Sequence, residues 1–274
     1  MSDGRLSLTI PLKPWYQDHC FAGRSVLPAV ETLLLLAARA AETYPEVDIR
    51  VMEDVRFAKF LEIPPTAVSL DCLVLFEGAG DGRLRTQLLS RVQCKAMSRI
   101  KEHGEVFFSP AQGNDSAHRP IVPLAAVPLT GPLTAISAEY LYRELVPFGP
   151  QYQTLRETLY LSEDEAWGKV QAPDLPQAPI EKIVGSPFPL DGAFHAACVL
   201  GQQFVNFVPF PVGFDKRVIT RPTQAGGCYQ MKVRRVCWTS EELVFDLAIF
   251  DGEGQLYETT TGVRMRDVRG VTTR

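Results

Sequence analysis

Hydrophobic and polar positions alternate, then switch to helical spacing, and then alternate again along the first half of the chain. Residues 6–10 alternate strictly between apolar and polar side chains, which predicts a strand that ends at Pro11. Residues 28–43 place leucine and alanine on most faces of a helix, which predicts a largely buried helix. Four strands are predicted next, at residues 49–57, 67–77, 84–97 and 105–109.

The second half repeats this order of elements. Ser137 is a predicted N-cap, because its hydroxyl can accept a hydrogen bond from the N–H of Tyr140 at the start of a short helix over residues 140–145. A second helix, apolar on nearly every face, is predicted over residues 192–207. The predicted strands of this half lie at residues 154–162, 165–172, 217–220, 227–238, 243–250 and 255–266.

These two patterns together predict an α+β fold. A helix that is apolar on most faces is buried most simply when an antiparallel sheet wraps around it. Two such units side by side would share one continuous sheet with two long central helices. Five prolines punctuate residues 110–132, which predicts a linker. The predicted organisation is an N-terminal unit at 1–110, a linker at 111–132 and a C-terminal unit at 133–274.

Composition narrows the class of protein. The chain has 274 residues, of which 46% are hydrophobic and 22% charged, as in ordinary globular domains. The net charge of −4 gives no reason to expect a nucleic-acid partner. The longest apolar run, residues 33–38, is far shorter than the ~20 residues that a membrane span needs. The six cysteines form no CxxC pair, so we expect buried thiols and no metal site. Asp3 and Arg5 precede only a short alternating run, so we expect no signal peptide and a cytoplasmic location.

Two remote segments carry the candidate chemistry. His19 stands on an extended segment, with Gly23 and Pro28 between it and the first helix. A titratable imidazole beside the free N–H groups of a helix N-terminus suits proton abstraction next to a thioester carbonyl. Far downstream, Asp191 is followed one helical turn later by His195, which places both side chains on one face of the second helix.

These segments resemble the dehydratase domains of modular polyketide synthases and related fatty acid synthases, which are double hotdog folds. His19, Gly23 and Pro28 match the HxxxGxxxxP motif of that family at every defined position. Residues 191–195 match its DxxxQ/H motif. The resemblance therefore implies that the two predicted units are the two hotdogs of one domain.

Two further segments follow the family's order. Residues 148–155 are similar to the YGPxFxxL segment, and residues 208–213 are similar to the LPF segment. The chain departs from the family at Phe148, where a tyrosine is common. The hydroxyl that the family places near the β-oxygen of the substrate is thus absent there, and Tyr152 is a candidate replacement.

The resemblance implies a hydro-lyase. Such an enzyme converts β-hydroxyacyl thioesters of polyketide or fatty acid biosynthesis to enoyl thioesters. The substrate is carried on the phosphopantetheine of an acyl carrier protein, and no metal or other cofactor is needed. His19 would be the base, N–H groups near Gly23 and the helix start would hold the carbonyl, and Asp191 would be the acid. Asp191 would need burial to stay protonated, and His195 would orient it.

Binding positions and partners follow from the same resemblance. The substrate-binding residues expected are Pro28, Phe148, Gly149, Tyr152, Phe194 and Phe210. Carrier proteins are acidic, so a basic patch is expected near Arg24, with residues 216–217, 221 and 234–235 as further candidates. Other synthase enzymes are expected partners, a homodimer is possible, and neither nucleic acid nor membrane is expected to bind.

Alternative functions and roles remain open at this stage. The same site could move a double bond, close a ring as product-template domains do, or bind acyl groups without turnover. Asp191 could be a helix N-cap instead of an acid. Glu31 is a rival acid near the start of the first helix, although a glutamate in a first turn more often serves the helix dipole. His103 and His118 lie in polar surroundings and are expected to be solvated. A Cys20 nucleophile is disfavoured, because neighbours on an extended segment point in opposite directions.

Overall fold

Twelve strands form one antiparallel sheet in the computed structural model, which describes residues 4–21, 23–94, 97–111, 129 and 131–268. The strands of the first half are β1 (Gly4–Pro11), β2 (Cys20–Phe21), β3 (Arg24–Ser25), β4 (Val47–Arg56), β5 (Ser69–Gly78), β6 (Leu84–Cys94) and β7 (Met97–Pro110). Those of the second half are β8 (Thr134–Ser137), β9 (Leu155–Leu161), β10 (Glu165–Gln171), β11 (Phe210–Ile219), β12 (Cys228–Trp238), β13 (Glu242–Phe250) and β14 (Leu256–Arg266).

The sheet runs without a break through both halves. Its order is β1-β5-β6-β7-β4-β11-β14-β13-β12-β10-β9-β8, while β2 and β3 form a separate small hairpin. The junction is the antiparallel pair β4–β11, in which Phe214 lies opposite Val55 and Arg217 lies opposite Met52. The continuous sheet predicted from the two helix-and-strand patterns is therefore confirmed.

Two long helices lie inside this sheet. The helices are α1 (Ala29–Thr43), α2 (Ala138–Tyr140), α3 (Glu181–Val184) and α4 (Phe188–Gly201), with a π-helical turn at Leu141–Leu145 and 3₁₀ turns at Pro14–Asp18 and Pro150–Tyr152. Every residue of α4 is buried, because strands of the second half and α1 surround it. Both long helices contribute to one hydrophobic core that spans the two halves.

The second long helix differs from its predicted bounds of 192–207. It begins at Phe188, because Pro189 fits a first turn in which the N–H groups lack intrahelical partners. It ends at Gly201, and the N–H of Phe204 bonds the carbonyl of Gly201 in a tight turn. Asp191 therefore lies within the first turn, and its interpretation as an N-cap is wrong. The N-cap at Ser137 is confirmed by a 3.2 Å bond from the Tyr140 N–H.

Three strand predictions were also too short or absent. β7 begins at residue 97 instead of 105, because its first part carries polar residues on both faces and shows no alternation. β11 begins at 210 instead of 217, and a register shift between Pro211 and Gly213 lets residues that disfavour strands join the sheet. β8 was not predicted.

Within the described ranges, no helix has the length and apolar character to cross a membrane. Of the predicted linker, residues 112–128 and 130 lie outside the described residues.

Candidate active site

A cavity of about 250 Å³ lies where the first half meets the second, and both candidate segments reach it. The predicted site residues that line it are His19, Phe148, Asp191, Phe194, His195 and Phe210. Leu27 and Ala29 from the start of α1 complete the wall beside His19. The structure thus brings an imidazole of the first half and a carboxyl of the second half into one cavity.

His19 is held by backbone contacts on both sides. Its N–H bonds the Tyr16 carbonyl at 3.2 Å, and its carbonyl accepts from the Val26 N–H at 3.0 Å. Its ring nitrogen Nδ1 lies 3.2 Å from the Val26 carbonyl oxygen. A carbonyl can only accept, so Nδ1 carries the proton of the neutral ring and Nε2 keeps a free lone pair. That tautomer is the one a general base needs.

The electrostatics of His19 favour the neutral ring. Burial lowers the pKa of this imidazole from an ordinary 6.5 to about 4, although the Asp191 carboxyl nearby acts in the opposite direction. The charge of a protonated His195 would lower the pKa further. At neutral pH, His19 is therefore an uncharged proton acceptor.

Phe148 lies between the rings of His19 and His195. Its ring stacks on His19 with centroids 4.5 Å apart and an interplanar angle of 12°. On its other side it stacks on His195 at 4.8 Å and 27°. The three rings form a continuous stack, so the position of Phe148 fixes the spacing between the candidate base and the group beside the candidate acid.

The loop that carries Phe148 is fastened to the residue before His19. The Gly149 N–H bonds the Asp18 carbonyl at 2.7 Å, and the Gln151 N–H bonds the Asp18 carboxylate at 3.0 Å. A Cβ at position 149 would lie 2.7 Å from the Asp18 side chain, which explains why glycine stands there. Gly149 thus docks the second half against the base-bearing segment.

Asp191 and His195 are both buried on one face of α4. His195 Nε2 lies 3.1 Å from Asp191 Oδ2, a contact that falls short of good hydrogen-bond alignment. The other ring nitrogen of His195, Nδ1, lies 3.3 Å from the hydroxyl of Tyr142. The predicted contact between Asp191 and His195 is therefore present, and Tyr142 is an additional member that the sequence did not reveal.

Four predicted site residues do not line the cavity: Gly149, described above, and Gly23, Pro28 and Tyr152. Gly23 is exposed at the tip of the β2–β3 hairpin with φ of +76°, and Pro28 is buried immediately before α1. Tyr152 is fully buried behind His19, with ring centroids 5.0 Å apart, and it packs against Phe188. Among the described residues, the Tyr152 hydroxyl has no hydrogen-bond partner. The structure does not place that hydroxyl among the groups that face the cavity.

The helix start next to His19 offers backbone donors. Ala29 is the first residue of α1 and lines the cavity. The first helical bond runs from the Thr32 N–H to the Pro28 carbonyl at 3.1 Å, so the N–H groups of the first turn have no acceptor within the helix. They place the positive end of the helix dipole at the cavity wall.

Three cations at the cavity wall were missed by sequence reasoning. Lys59, Arg99 and Lys101 are exposed, line the cavity, and form no ion pair with any residue in the described part of the chain. The spacing of Arg99 and Lys101 places both side chains on one face of β7, a signal that required the correct start of that strand.

None of the basic residues suggested by the sequence lines the cavity, and most of them form ion pairs elsewhere. Arg24 pairs with Glu62 at 2.9 Å, and Arg217 is buried against Glu258. Lys216 pairs with Glu53 at 2.8 Å. The basic surface beside the cavity therefore consists of Lys59, Arg99 and Lys101.

The other titratable groups considered from the sequence are His103, which also lines the cavity, His118 and Glu31. His103 is buried instead of solvated, with Nε2 2.7 Å from the Ser90 hydroxyl and Nδ1 3.0 Å from the Lys59 carbonyl. His118 lies outside the described residues. Glu31 is buried away from the cavity, accepts from the Tyr16 hydroxyl at 2.9 Å, and has a pKa that burial raises.

Comparisons with known proteins agree on one family. Residues 123–273 match a family model described as "Polyketide synthase dehydratase N-terminal domain", and residues 3–91 match one described as "Polyketide synthase dehydratase domain". No curated protein sequence matches the chain.

Solved structures share the fold at low sequence identity. A trans-AT polyketide synthase dehydratase domain from Brevibacillus brevis is 16% identical with a TM-score of 0.76, and the match covers 97% of this chain and 94% of that chain. The dehydratase domain from the CurJ module of curacin polyketide synthase is 20% identical with a TM-score of 0.72, covering 96% and 91%. A bifunctional dehydratase-cyclase domain of ambruticin biosynthesis is 17% identical with a TM-score of 0.64, covering 96% and 90%. The expected double hotdog fold is confirmed.

Proposed function

Because the chain belongs to the polyketide synthase dehydratase family, we propose that it removes water from β-hydroxyacyl thioesters to give enoyl thioesters. The observation that carries this proposal is one cavity that holds a neutral imidazole with a free Nε2 and a buried carboxyl. Elimination of water needs a base for the α-carbon and an acid for the departing hydroxyl. His19 and Asp191 supply these two groups from opposite halves of the fold.

The proton movements balance in two steps. His19 Nε2 takes the α-proton, and the electrons of that C–H bond move toward the thioester carbonyl. The N–H groups at the start of α1 stabilise the charge that develops on the carbonyl oxygen. Asp191 gives its proton to the β-hydroxyl, the C–O bond breaks, water leaves and the α,β double bond forms. His19 then returns its proton through solvent to Asp191, which restores both groups.

The assignment is tested with the purified chain and a 3-hydroxyacyl thioester of pantetheine. The expected product has lost one water and absorbs as an enoyl thioester. A product of unchanged mass with altered absorbance would show that the site moves a double bond or closes a ring instead of removing water. Phe148 favours isomerisation or ring closure as the second candidate function, because position 148 has no tyrosine hydroxyl that could hydrogen-bond the departing β-hydroxyl. Binding of acyl groups without turnover would leave only an acyl-binding role.

The carrier of the substrate is proposed to dock beside Lys59, Arg99 and Lys101. A phosphopantetheine arm has a phosphodiester, and acyl carrier proteins are acidic. Cations at the cavity wall that form no ion pair with a described residue suit both. Other synthase enzymes would supply the β-hydroxyacyl group and use the enoyl product.

Charge reversal at the cavity wall tests this docking. Lys101→Glu is expected to raise KM for a carrier-bound substrate about tenfold, a change of about 1.4 kcal/mol, and to leave kcat/KM for the pantetheine thioester unchanged. Lys182→Glu, an equal charge change at an exposed position of α3, is the matched control. Equal effects of the two variants on the carrier-bound substrate would contradict docking at this surface.

The pH profile of kcat/KM is expected to follow the ionisation of His19. Burial lowers the pKa of this base to about 4, and the base must be neutral. Activity should therefore stay level from neutral pH to about pH 5 and fall about tenfold per unit below the pKa. Rates on the pantetheine thioester, with circular dichroism at each pH, measure this limb. A midpoint near 6.5 with the fold intact would show a solvated base.

Stability should depend on pH through the same group. The folded pKa lies below the unfolded value of 6.5, so the unfolded chain binds the proton more readily. The contribution of neutral His19 to stability is complete above 6.5 and is lost as the pH falls toward 4. Comparison with a His19→Asn chain isolates this contribution from those of other groups.

A further inference from the structure

We infer that Tyr142 is a positioning residue that fixes the tautomer of His195, and through it the proton arrangement on Asp191. The kinetic part of this inference rests on the proposed function, whereas the tautomer itself can be observed without any turnover. Tyr142 lies outside the four sequence motifs, and its role rests on three contacts in the core.

The hydrogen-bond capacity of the Tyr142 hydroxyl determines its role. The hydroxyl accepts the N–H of Leu155 at 2.9 Å, and its side chain is buried, with 6% of the residue exposed. Its one proton remains to be donated, and His195 Nδ1 lies 3.3 Å away. With Nδ1 as the acceptor, the hydroxyl accepts one hydrogen bond, from Leu155, and donates one, to His195.

The tautomer of His195 follows from that donation. If Nδ1 accepts, the proton of the neutral ring sits on Nε2, which lies 3.1 Å from Asp191 Oδ2. The Nε2–H group then faces Asp191 Oδ2, so the transferable proton of Asp191 is assigned to Oδ1, where it does not oppose that N–H.

The backbone near Tyr142 points its ring into the core. Residues 141–145 form a π-helical turn, closed by a bond from the Val146 N–H to the Leu141 carbonyl at 2.9 Å. This turn buries Tyr142 while its neighbours Tyr140 and Arg143 are exposed. Single π-helical turns recur at functional sites because they re-aim side chains.

The other groups that face His195 do not compete for its Nδ1. Phe148 stacks on one face of the ring, His19 lies beyond Phe148, and Asp191 approaches Nε2 from the same helix. Among described residues, Tyr142 is the one hydrogen-bonding group in contact with Nδ1. Removal of its hydroxyl should therefore free the imidazole to exchange its proton between the two nitrogens.

Nitrogen-15 NMR of histidine-labelled chain tests the tautomer directly. In the parent chain at pH 7, His195 is expected to show a protonated Nε2 and an unprotonated Nδ1. In Tyr142→Phe, the two nitrogens should shift toward averaged values. A protonated Nδ1 in the parent chain, or an unchanged pattern in Tyr142→Phe, would overturn the inference. A His195→Gln chain identifies the signals.

Kinetics separate positioning from general stabilisation. Tyr142→Phe is expected to lower kcat on the pantetheine thioester about tenfold with KM unchanged. Tyr229→Phe is the matched control, because Tyr229 is also 6% exposed and its hydroxyl accepts one backbone N–H, from Gln224 at 2.8 Å. The control should lose similar stability and keep kcat. An equal fall in kcat in both variants would reduce Tyr142 to a structural role. No turnover in the parent chain, with the expected NMR pattern, would instead remove the proposed function and leave the tautomer assignment standing.

Discussion

The His19→Asn chain is expected to dehydrate a 3-hydroxyacyl thioester about 10²- to 10⁴-fold more slowly than the parent chain. Asparagine can still donate to the Val26 carbonyl, as Nδ1 of His19 does at 3.2 Å. We therefore expect the local backbone conformation to be retained. What asparagine lacks is the basic nitrogen that corresponds to Nε2. The loss should therefore appear in kcat, measured by formation of the enoyl product, with the thermal unfolding midpoint as a check on folding.

A control for this variant lies next to it in the chain. Cys20 is half-buried, is not among the residues that line the cavity, and starts β2. Cys20→Ala should keep the parent rate within a few-fold, because the mechanism gives the thiol no part. Parent-like activity in His19→Asn would remove His19 as the base. Loss of activity in Cys20→Ala would revive the thiol as a nucleophile.

Asp191→Asn should produce a loss of the same order, about 10²- to 10⁴-fold. The amide keeps the shape of the carboxyl and can still accept from His195, but it has no acidic proton for the leaving hydroxyl. Since base and acid act in one elimination, the double variant with His19→Asn should be little slower than the worse single variant. Full additivity of the two losses would indicate separate functions.

Glu181→Gln is the control for this variant, because it removes a different carboxyl that is buried to a similar extent. Glu181 is 5% exposed and Asp191 is 4% exposed, and both lie in the first turn of a helix. Glu181 accepts from the Ala178 N–H at 2.8 Å and does not line the cavity. If Glu181→Gln slowed the reaction as much as Asp191→Asn, both losses would be explained by the structural effect of removing a buried carboxyl, and Asp191 would not be assigned as the acid.

The sequence predicted the residues of the site better than their arrangement. Local signals were strong for His19 and Asp191, because spacing to a helix start is a short-range property. Their convergence depends on the pairing of β4 with β11, residues far apart in the chain, which a local pattern cannot encode. Gly23 shows that a motif match does not by itself place a residue in the site. It occupies the glycine position of the motif but lies exposed at the tip of a hairpin.

Two kinds of residue escaped prediction for different physical reasons. Arg99 and Lys101 were missed because the start of β7 is polar on both faces, so no alternation marked it as a strand. Tyr142 was missed because its role depends on a π-helical turn and on His195, a residue in another element. Hydrophobic patterning predicted the core helices, whereas polar residues that act across elements required the folded geometry.

The stack of His19, Phe148 and His195 has a consequence for the maturation of a newly made chain. Until the loop at Gly149 seats against Asp18, His19 is an ordinary hydrated imidazole that is partly protonated near neutrality. Docking of the two halves buries the ring, and that burial lowers its pKa. The uncharged imidazole at neutral pH is therefore a property of the docked halves, which residue 19 does not have by itself.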